Sequence, residues 1–269
     1  MSSEAIESAF RLDGRVAVVT GGGSGIGRAV AEVLARCGAA VVVGDIDVGR
    51  GEETVERIAS AGGRARFVST DVRRPEDLDR LVATAVQEYG GLDIQCNIAG
   101  VPSLVRPLLE VTGDDLDREL AISLKALLYG CQSAARVMAE RGRGAIVNIS
   151  STAADIPAAG YGLYHLGKLA AVGLTRTLAL ELGPKGIRVN AIAPGATLTN
   201  FSARYFTNPD GSVDEERRQQ WLATMAAKSP LNMVGTPEDQ ALLVLYLVSD
   251  ASRFVTGQVV RANGGWSMG

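Results

Sequence analysis

Tyr164 and Lys168 stand four residues apart in a stretch of helical apolar spacing, so their side chains share a face. A free tyrosine titrates near ~10. A neighbouring ammonium favours the phenolate and lowers that value. A tyrosine tuned in this way is a general base toward an alcohol, or a general acid toward a ketone. Tyr-x-x-x-Lys also arises readily by chance, so the pair needs corroboration from elsewhere in the chain. Tyr161 is no rival, because four residues on stands His165. His165 is the only histidine. Adjacent helix positions face different ways, so it reads as a structural or pocket-lining residue rather than a partner of Tyr164. Cys37, Cys96 and Cys131 are widely spaced and odd in number, which argues against a disulfide framework and for a reducing, cytoplasmic setting. No His, Cys, Asp or Glu cluster has metal-ligand spacing, so no metal is expected.

A second chemical signal lies near the N-terminus. The apolar run 16–20 leads into Gly21-Gly22-Gly23-Ser24-Gly25-Ile26-Gly27, where a helical pattern begins. Glycine allows a tight strand-to-helix turn and lets a phosphate approach the backbone. The open N–H groups and the positive helix end then attract a pyrophosphate. The spacing is Gly-x-x-x-Gly-x-Gly, not Gly-x-Gly-x-x-Gly. Asp45 ends the next strand candidate, 18 residues after Gly27. An acid there accepts hydrogen bonds from the ribose hydroxyls of an adenosine and repels a 2′-phosphate, which favours NAD(H) over NADP(H). No Lys or Arg sits in the glycine loop to offset that charge. The other reading of Asp45 is a solvated turn residue. Asp71, after the third strand candidate, either hydrogen-bonds an adenine amino group or belongs to a helix cap.

The chain that must position these residues has 269 of them, 46% hydrophobic and 21% charged, enough for a sizeable core. Lys plus Arg number 27 against 30 Asp plus Glu, which argues against nucleic acid as a partner. The longest clean apolar run, 241–248, is too short to span a bilayer, and residues 1–12 lack the apolar stretch of a secretory signal. Strand candidates are 16–20, 40–45, 65–70, 92–97, 145–150, 187–192 and 258–261. Most are apolar throughout, as in strands buried on both faces. Helical spacing fills 25–37, 74–89, 114–140, 161–182 and 237–248, and Pro75 suits a first helical turn. Repeated β-α units imply one α/β domain over 1–269: a seven-stranded, mostly parallel, doubly wound sheet with helices on both faces. Residues 199–229 break the rhythm. They mix Phe201, Tyr205, Phe206, Trp221 and Met225 with polar residues and read as an inserted helical flap.

Thr20-Gly-x-x-x-Gly-Ile-Gly27 followed by Tyr164-His-Leu-Gly-Lys168 resembles the short-chain dehydrogenase/reductase family. Further landmarks run from about Leu12 to Trp266. Asn97-Ile-Ala-Gly100 is similar to the family's Asn-Asn-Ala-Gly, and Ile146-Val-Asn-Ile-Ser-Ser151 to its serine strand. Arg188-Val-Asn-Ala-Ile-Ala-Pro-Gly195 with Thr199 is similar to its Pro-Gly-x-x-x-Thr turn. Thr256-Gly-Gln258 and Asn263-Gly-Gly265 are similar to its C-terminal signature, with Asn263 where an Asp is usual. The resemblance implies a Rossmann fold. It also implies that Ser151 holds the substrate oxygen, Tyr164 moves the proton, and Lys168 tunes Tyr164 and holds the nicotinamide ribose. Ser151 lies 13 residues before Tyr164, the family's spacing, which Ser150 does not match. The implied cofactor site comprises Gly21, Ser24, Gly25, Ile26, Gly27, Asp45, Asp71, Val72, Asn97, Ala99, Gly100, Tyr164, Lys168, Pro194, Gly195, Thr197 and Thr199. Ser123 stands where the family carries an Asn that fixes a helix kink and a proton-relaying water. Serine is shorter and lacks the amide donors, so a catalytic Ser123 implies an altered relay; the alternative is an ordinary helix serine.

The implied activity is interconversion of a secondary alcohol and its ketone with NAD, hydride passing directly between substrate carbon and nicotinamide. An NAD preference favours the oxidative direction. Substrate contacts are expected from Ser151, Tyr164, Val101, Ile156, Phe201 and Tyr205, with the flap aromatics as an apolar lid over a cyclic or lipid-like alcohol. Three alternatives remain. One is a catalytically weak dinucleotide-binding sensor or structural protein of the same fold, and another an NADP(H)-dependent ketone or 3-oxoacyl reductase. The third is a different nucleotide-dependent α/β enzyme, such as a methyltransferase, which leaves Tyr164 and Lys168 without a task. Helices 114–140 and 161–182 are apolar over much of their circumference. Relatives pair these helices across a dimer axis, so a homo-oligomer is expected, a tetramer or a dimer.

Overall fold

The computed structural model describes residues 2–269. Its strands are β1 (Val16–Thr20), β2 (Ala40–Asp45), β3 (Arg64–Ser69), β4 (Ile94–Asn97), β5 (Gly144–Ile149), β6 (Ile187–Ile192) and β7 (Val259–Val260). They form one sheet in the order β3-β2-β1-β4-β5-β6-β7, with every pair parallel. The helices are α1 (Ser3–Ser8), α2 (Gly25–Arg36), α3 (Val48–Ser60), α4 (Pro75–Tyr89), α5 (Gly113–Leu120), α6 (Ala126–Arg141), α7 (Gly162–Leu182), α8 (Asn200–Ala203), α9 (Glu215–Ala226) and α10 (Pro237–Val248). No helix among the described residues is long and apolar enough to cross a membrane.

The interior strands feed two cores. Ala17, Val19, Val41, Val43, Ala145 and Val147 pack on one face with Val30, Leu34, Ile58 and Val244. Val16, Val18, Val42 and Ile146 pack on the other with Leu78, Leu81, Cys131, Met138 and Leu182. Alternate side chains thus enter opposite apolar layers, which explains runs apolar throughout. At the edge, β3 exposes Arg64, Arg66 and Ser69, and charge there discourages pairing with another sheet.

Two segments depart from the sequence pattern. The helical run 114–140 is not continuous. A π turn at Ala121–Lys125 separates α5 from α6, with Ser123 buried inside it. The break falls at Ser123, within what reads in the sequence as one continuous helix. Residues 48–60, for which the sequence reading names no helix, form α3, started by the Asp47 side chain accepting from Arg50 N–H at 3.1 Å.

Strand order reverses between β1 and β4, and the crevice beyond their carboxyl ends is where such sheets bind ligands. The glycine turn leaves β1 at this crevice and Ile98–Gly100 leave β4 there.

Candidate active site

A cavity of about 1100 Å³ opens at the crevice. Gly21, Ser24, Gly25, Ile26, Gly27, Asp45, Asp71 and Val72 line one end, joined by Ala99 and Gly100 from β4. Ser151, Tyr164 and Lys168 line the middle, beside Pro194, Gly195, Thr197 and Thr199. Val101, Ile156, Phe201 and Tyr205 line the far end. Of the site and lid residues singled out in the sequence, Asn97, Ser123 and Phe206 do not line the cavity.

The glycine turn is fixed by two close approaches. Gly21 has φ +69°, and a Cβ there would lie 2.7 Å from Ala99 Cα. A Cβ on Gly27 would lie 2.0 Å from the Gly21 carbonyl oxygen. Any side chain at either position would drive the turn away from α2 or β4. Ser24 caps α2 without a side-chain bond. The first N–H groups of α2 have no acceptor within the helix, which leaves an anion site at its positive end. Asp45 accepts from Gly23 N–H at 2.8 Å and Asp47 N–H at 2.9 Å. Both carboxylate oxygens are thereby oriented, and each keeps a lone pair for a ribose hydroxyl. Asp71 accepts from Arg73 Nε at 2.8 Å, and this hydrogen bond holds its carboxyl below the ordinary value. It does not cap α4, whose cap residue is Arg74.

At the centre, β5 runs into Ser150 and Ser151 and faces the first turns of α7. Ser150 Oγ donates to the Lys168 carbonyl at 3.0 Å, so this serine ties β5 to α7. Ser151 Oγ accepts from Ala153 N–H at 3.1 Å, which fixes its rotamer at the cavity. Lys168 Nζ lies 5.5 Å from the Tyr164 ring centre. Burial lowers the Lys168 pKa to about 8, with the Glu119 carboxylate acting the other way. The sequence argument puts Tyr164 below its ordinary value through Lys168 and a positive nicotinamide ring together. Instead, burial pushes Tyr164 up, and the hydrogen bond with Ser151 opposes the rise. Desolvation of the phenolate outweighs the charges around it in the protein alone. His165 is held by a 2.6 Å hydrogen bond between Nδ1 and the Ala153 carbonyl, so it braces the turn after Ser151 while lining the cavity.

Asn97 sits behind the wall. Its Nδ2 donates to Asn148 Oδ1 at 2.9 Å, and its Oδ1 accepts from Gln95 at 2.8 Å. Asn148 Nδ2 continues to Thr175 Oγ1 at 3.1 Å. This buried chain of amides sets the register of α7 against β4 and β5 and leaves the Asn97 amide no reach to a ligand. Ser123 Oγ donates to the Glu119 carbonyl at 2.6 Å. A Cβ on Gly167 would come within 2.4 Å of Ser123 Oγ, so the π turn presses on α7 one residue from Lys168. The Ser123 hydroxyl thus gives its proton to its own helix and keeps only acceptor capacity.

The family model described as enoyl-(acyl carrier protein) reductase matches residues 21–267. The solved structure of a short-chain type dehydrogenase/reductase from Mycobacterium marinum superposes with a TM-score of 0.87 at 30% identity, covering 97% of this chain and 99% of that one. The chain belongs to the short-chain dehydrogenase/reductase family. It is 37% identical to the 2,5-dichloro-2,5-cyclohexadiene-1,4-diol dehydrogenase of Sphingobium indicum, over 95% of this chain and 98% of that protein. It is 32% identical to a 7α-hydroxysteroid dehydrogenase solved with NADH and 7-oxo glycochenodeoxycholic acid, with a TM-score of 0.87 over 98% of both chains.

In this short-chain dehydrogenase/reductase the C-terminal signature anchors the floor. Asn263 Nδ2 donates to Ser267 O and Oγ, each at 3.0 Å, and a Cβ on Gly195 would lie 2.8 Å from Asn263 Cα. The flap supplies aromatics: Phe201 lies 6.2 Å from the Tyr164 ring, and Tyr205 stacks on Trp221 at 6.2 Å. Phe206, expected in the lid, is instead buried against Trp221 and packs the flap itself. Sequence reasoning missed Lys228 and Trp266, which also line this end. The two lie 38 residues apart in sequence and meet only through the fold.

Proposed function

We propose that this oxidoreductase interconverts a secondary alcohol carried on a ring and its ketone, using NAD(H). The observation that carries the reading is the shared cavity. Ser151, Tyr164 and Lys168 stand between a glycine-lined helix terminus and an apolar, aromatic flap. The residues suit a dinucleotide: Gly27 has no room for a side chain, the start of α2 suits a pyrophosphate, and Asp45 is oriented at the adenosine end. When bound, the nicotinamide supplies or accepts the hydride. Ser151 Oγ hydrogen-bonds the substrate oxygen, and Tyr164 Oη takes or gives its proton. Lys168 holds the nicotinamide ribose. The flap excludes water from the reacting centre. Two of the three relatives described above are named for ring substrates, a cyclohexadiene diol and a hydroxysteroid.

Fluorescence titration with NADH and NADPH tests the cofactor. NADH is expected to bind at least about tenfold tighter, a difference of ~1.4 kcal/mol. Asp45→Ala should collapse that preference. Equal affinities in the wild type would overturn the NAD reading and favour a reductase. Binding of neither would favour a non-dehydrogenase. We also propose a homo-oligomer, supported by Leu166, Leu169 and Leu180, which α7 leaves exposed. Sedimentation velocity should then find a species of at least two chains, and a monomer at micromolar concentration would refute it.

A further inference from the structure

Tyr161, which proton transfer leaves without a task, lines the cavity together with Tyr205 of the flap. Their hydroxyl oxygens stand 3.4 Å apart. Two further relations set this pair beside the reacting centre. Tyr161 precedes Tyr164 by three residues at the start of α7, so both side chains leave one side of the helix. On the flap, the Arg204 guanidinium lies 4.8 Å over the Phe201 ring and 4.8 Å over the Tyr205 ring, and Phe201 lies 6.2 Å from the Tyr164 ring. Phe201 and Trp221, on which Tyr205 stacks, make the neighbouring wall apolar.

The hydroxyl pair has a donor to spare. Each phenol owns one proton. One of the two protons joins the tyrosines. Whichever tyrosine donates it, the other's proton has no protein acceptor among the described residues. The 3.4 Å separation is also longer than the roughly 2.7–2.8 Å of a full O–H···O bond, so neither hydroxyl satisfies the other well. Arg204 Nη2 donates to Tyr205 Oη at 2.7 Å, which polarises that hydroxyl and strengthens it as a donor.

We propose that the substrate carries a second oxygen, in a hydroxyl or carbonyl group remote from the reacting carbon, and that this oxygen accepts a hydrogen bond from the Tyr161–Tyr205 pair. A ring without it, drawn under the flap, would take water from these hydroxyls and leave the spare proton without an acceptor. A second oxygen takes the place of that water and fixes which end of the ring meets Tyr164. It also ties the flap to α7, because each supplies one of the tyrosines.

The inference rests on the dehydrogenase reading, so binding is measured apart from turnover. With NADH bound an alcohol cannot be oxidised. Calorimetry on that complex compares 4-methoxycyclohexanol with 4-ethylcyclohexanol, which has similar shape and no second oxygen. The methoxy compound should bind the wild type more tightly, although it gains less from burial. In the Tyr161→Phe/Tyr205→Phe double variant the ratio of the two affinities should fall by about 2- to 10-fold, the worth of one neutral hydrogen bond. Phenylalanine keeps both rings and the stack on Trp221, so NADH affinity should be unchanged. Tighter binding of the ethyl compound by the wild type, or a ratio unchanged in the double variant, overturns the proposal. Turnover of both alcohols with NAD is assayed in parallel. Turnover with no difference in affinity overturns the second-oxygen site and leaves the dehydrogenase reading standing. A tyrosine-dependent preference without turnover of either supports the site and tells against oxidation of ring alcohols.

Discussion

Tyr164→Phe is expected to lower kcat by about 10²- to 10⁴-fold, the usual worth of a positioned general acid or base. The substitution keeps the ring and its contact with Phe201 and removes only the hydroxyl. Its partner Ser151 keeps the hydrogen bond from Ala153 N–H, so stability should change by no more than about 1 kcal/mol. NADH affinity should be unchanged within about twofold. A variant that binds NADH and still turns over at the wild-type rate would remove Tyr164 from proton transfer. The pH profile gives a second readout. Burial raises the Tyr164 pKa, so at neutral pH the hydroxyl is protonated and the base form is scarce. Alcohol oxidation should therefore accelerate as pH rises from neutral, while ketone reduction, which uses the protonated form, should stay level until pH approaches the raised Tyr164 value. An oxidation rate flat with pH would mean that deprotonation of Tyr164 does not limit the reaction.

What the sequence made legible follows from how local each constraint is. Gly21 and Gly27 are required by contacts a few residues away or one strand over, and their spacing survives in one dimension. Interior strands are apolar on both faces, so β1, β2 and β6 could be bounded to the residue. Helix α3 was opaque because Gly49 and Gly51 weaken it. Gly51 is needed there, since a Cβ would fall 2.1 Å from the ring of Phe67 on β3. The π turn at Ser123 was hidden because its residues suit an ordinary helix. What it accommodates is α7 at Gly167, a contact across 44 positions. Asn97 reads as a cofactor residue through its likeness to the family's Asn-Asn-Ala-Gly landmark. Its amide is committed to Asn148, 51 residues on, which spacing cannot reveal. Lys228 and Trp266 carry no motif that links them, and they meet only through the fold.

Lys168→Met should separate function from stability most sharply. Among the described residues, none within ion-pair distance neutralises the buried amine. Its longest-reaching contact is Nζ to the Ile149 carbonyl at 3.4 Å, and Glu119 acts on it only from farther away. Its folded pKa, about 8, lies below the ordinary 10.5 of the unfolded chain. Below pH 8 both states are protonated and the folded one bears the full cost of a buried charge, ~3 kcal/mol at one pKa unit per 1.36 kcal/mol. Between 8 and 10.5 the folded state releases a proton that the unfolded chain retains, so this group makes the fold more stable as pH rises. Above that window both states are neutral and the cost is gone. Methionine carries no charge and fills similar space. The variant should therefore be more stable than wild type at pH 7, melting several degrees higher, and the gap should close as pH approaches 10.5. The same variant should lose at least about 10²-fold in turnover and bind NADH more weakly. Denaturant melts of both proteins at pH 7 and pH 10, with NADH titrations, read both halves. A variant less stable than wild type at pH 7 would mean that Glu119 and the Ile149 carbonyl more than offset the desolvation of the amine. A more stable but inactive variant would identify Lys168 as a charge the fold retains against its own stability, at the point where Tyr164 and a bound dinucleotide need it.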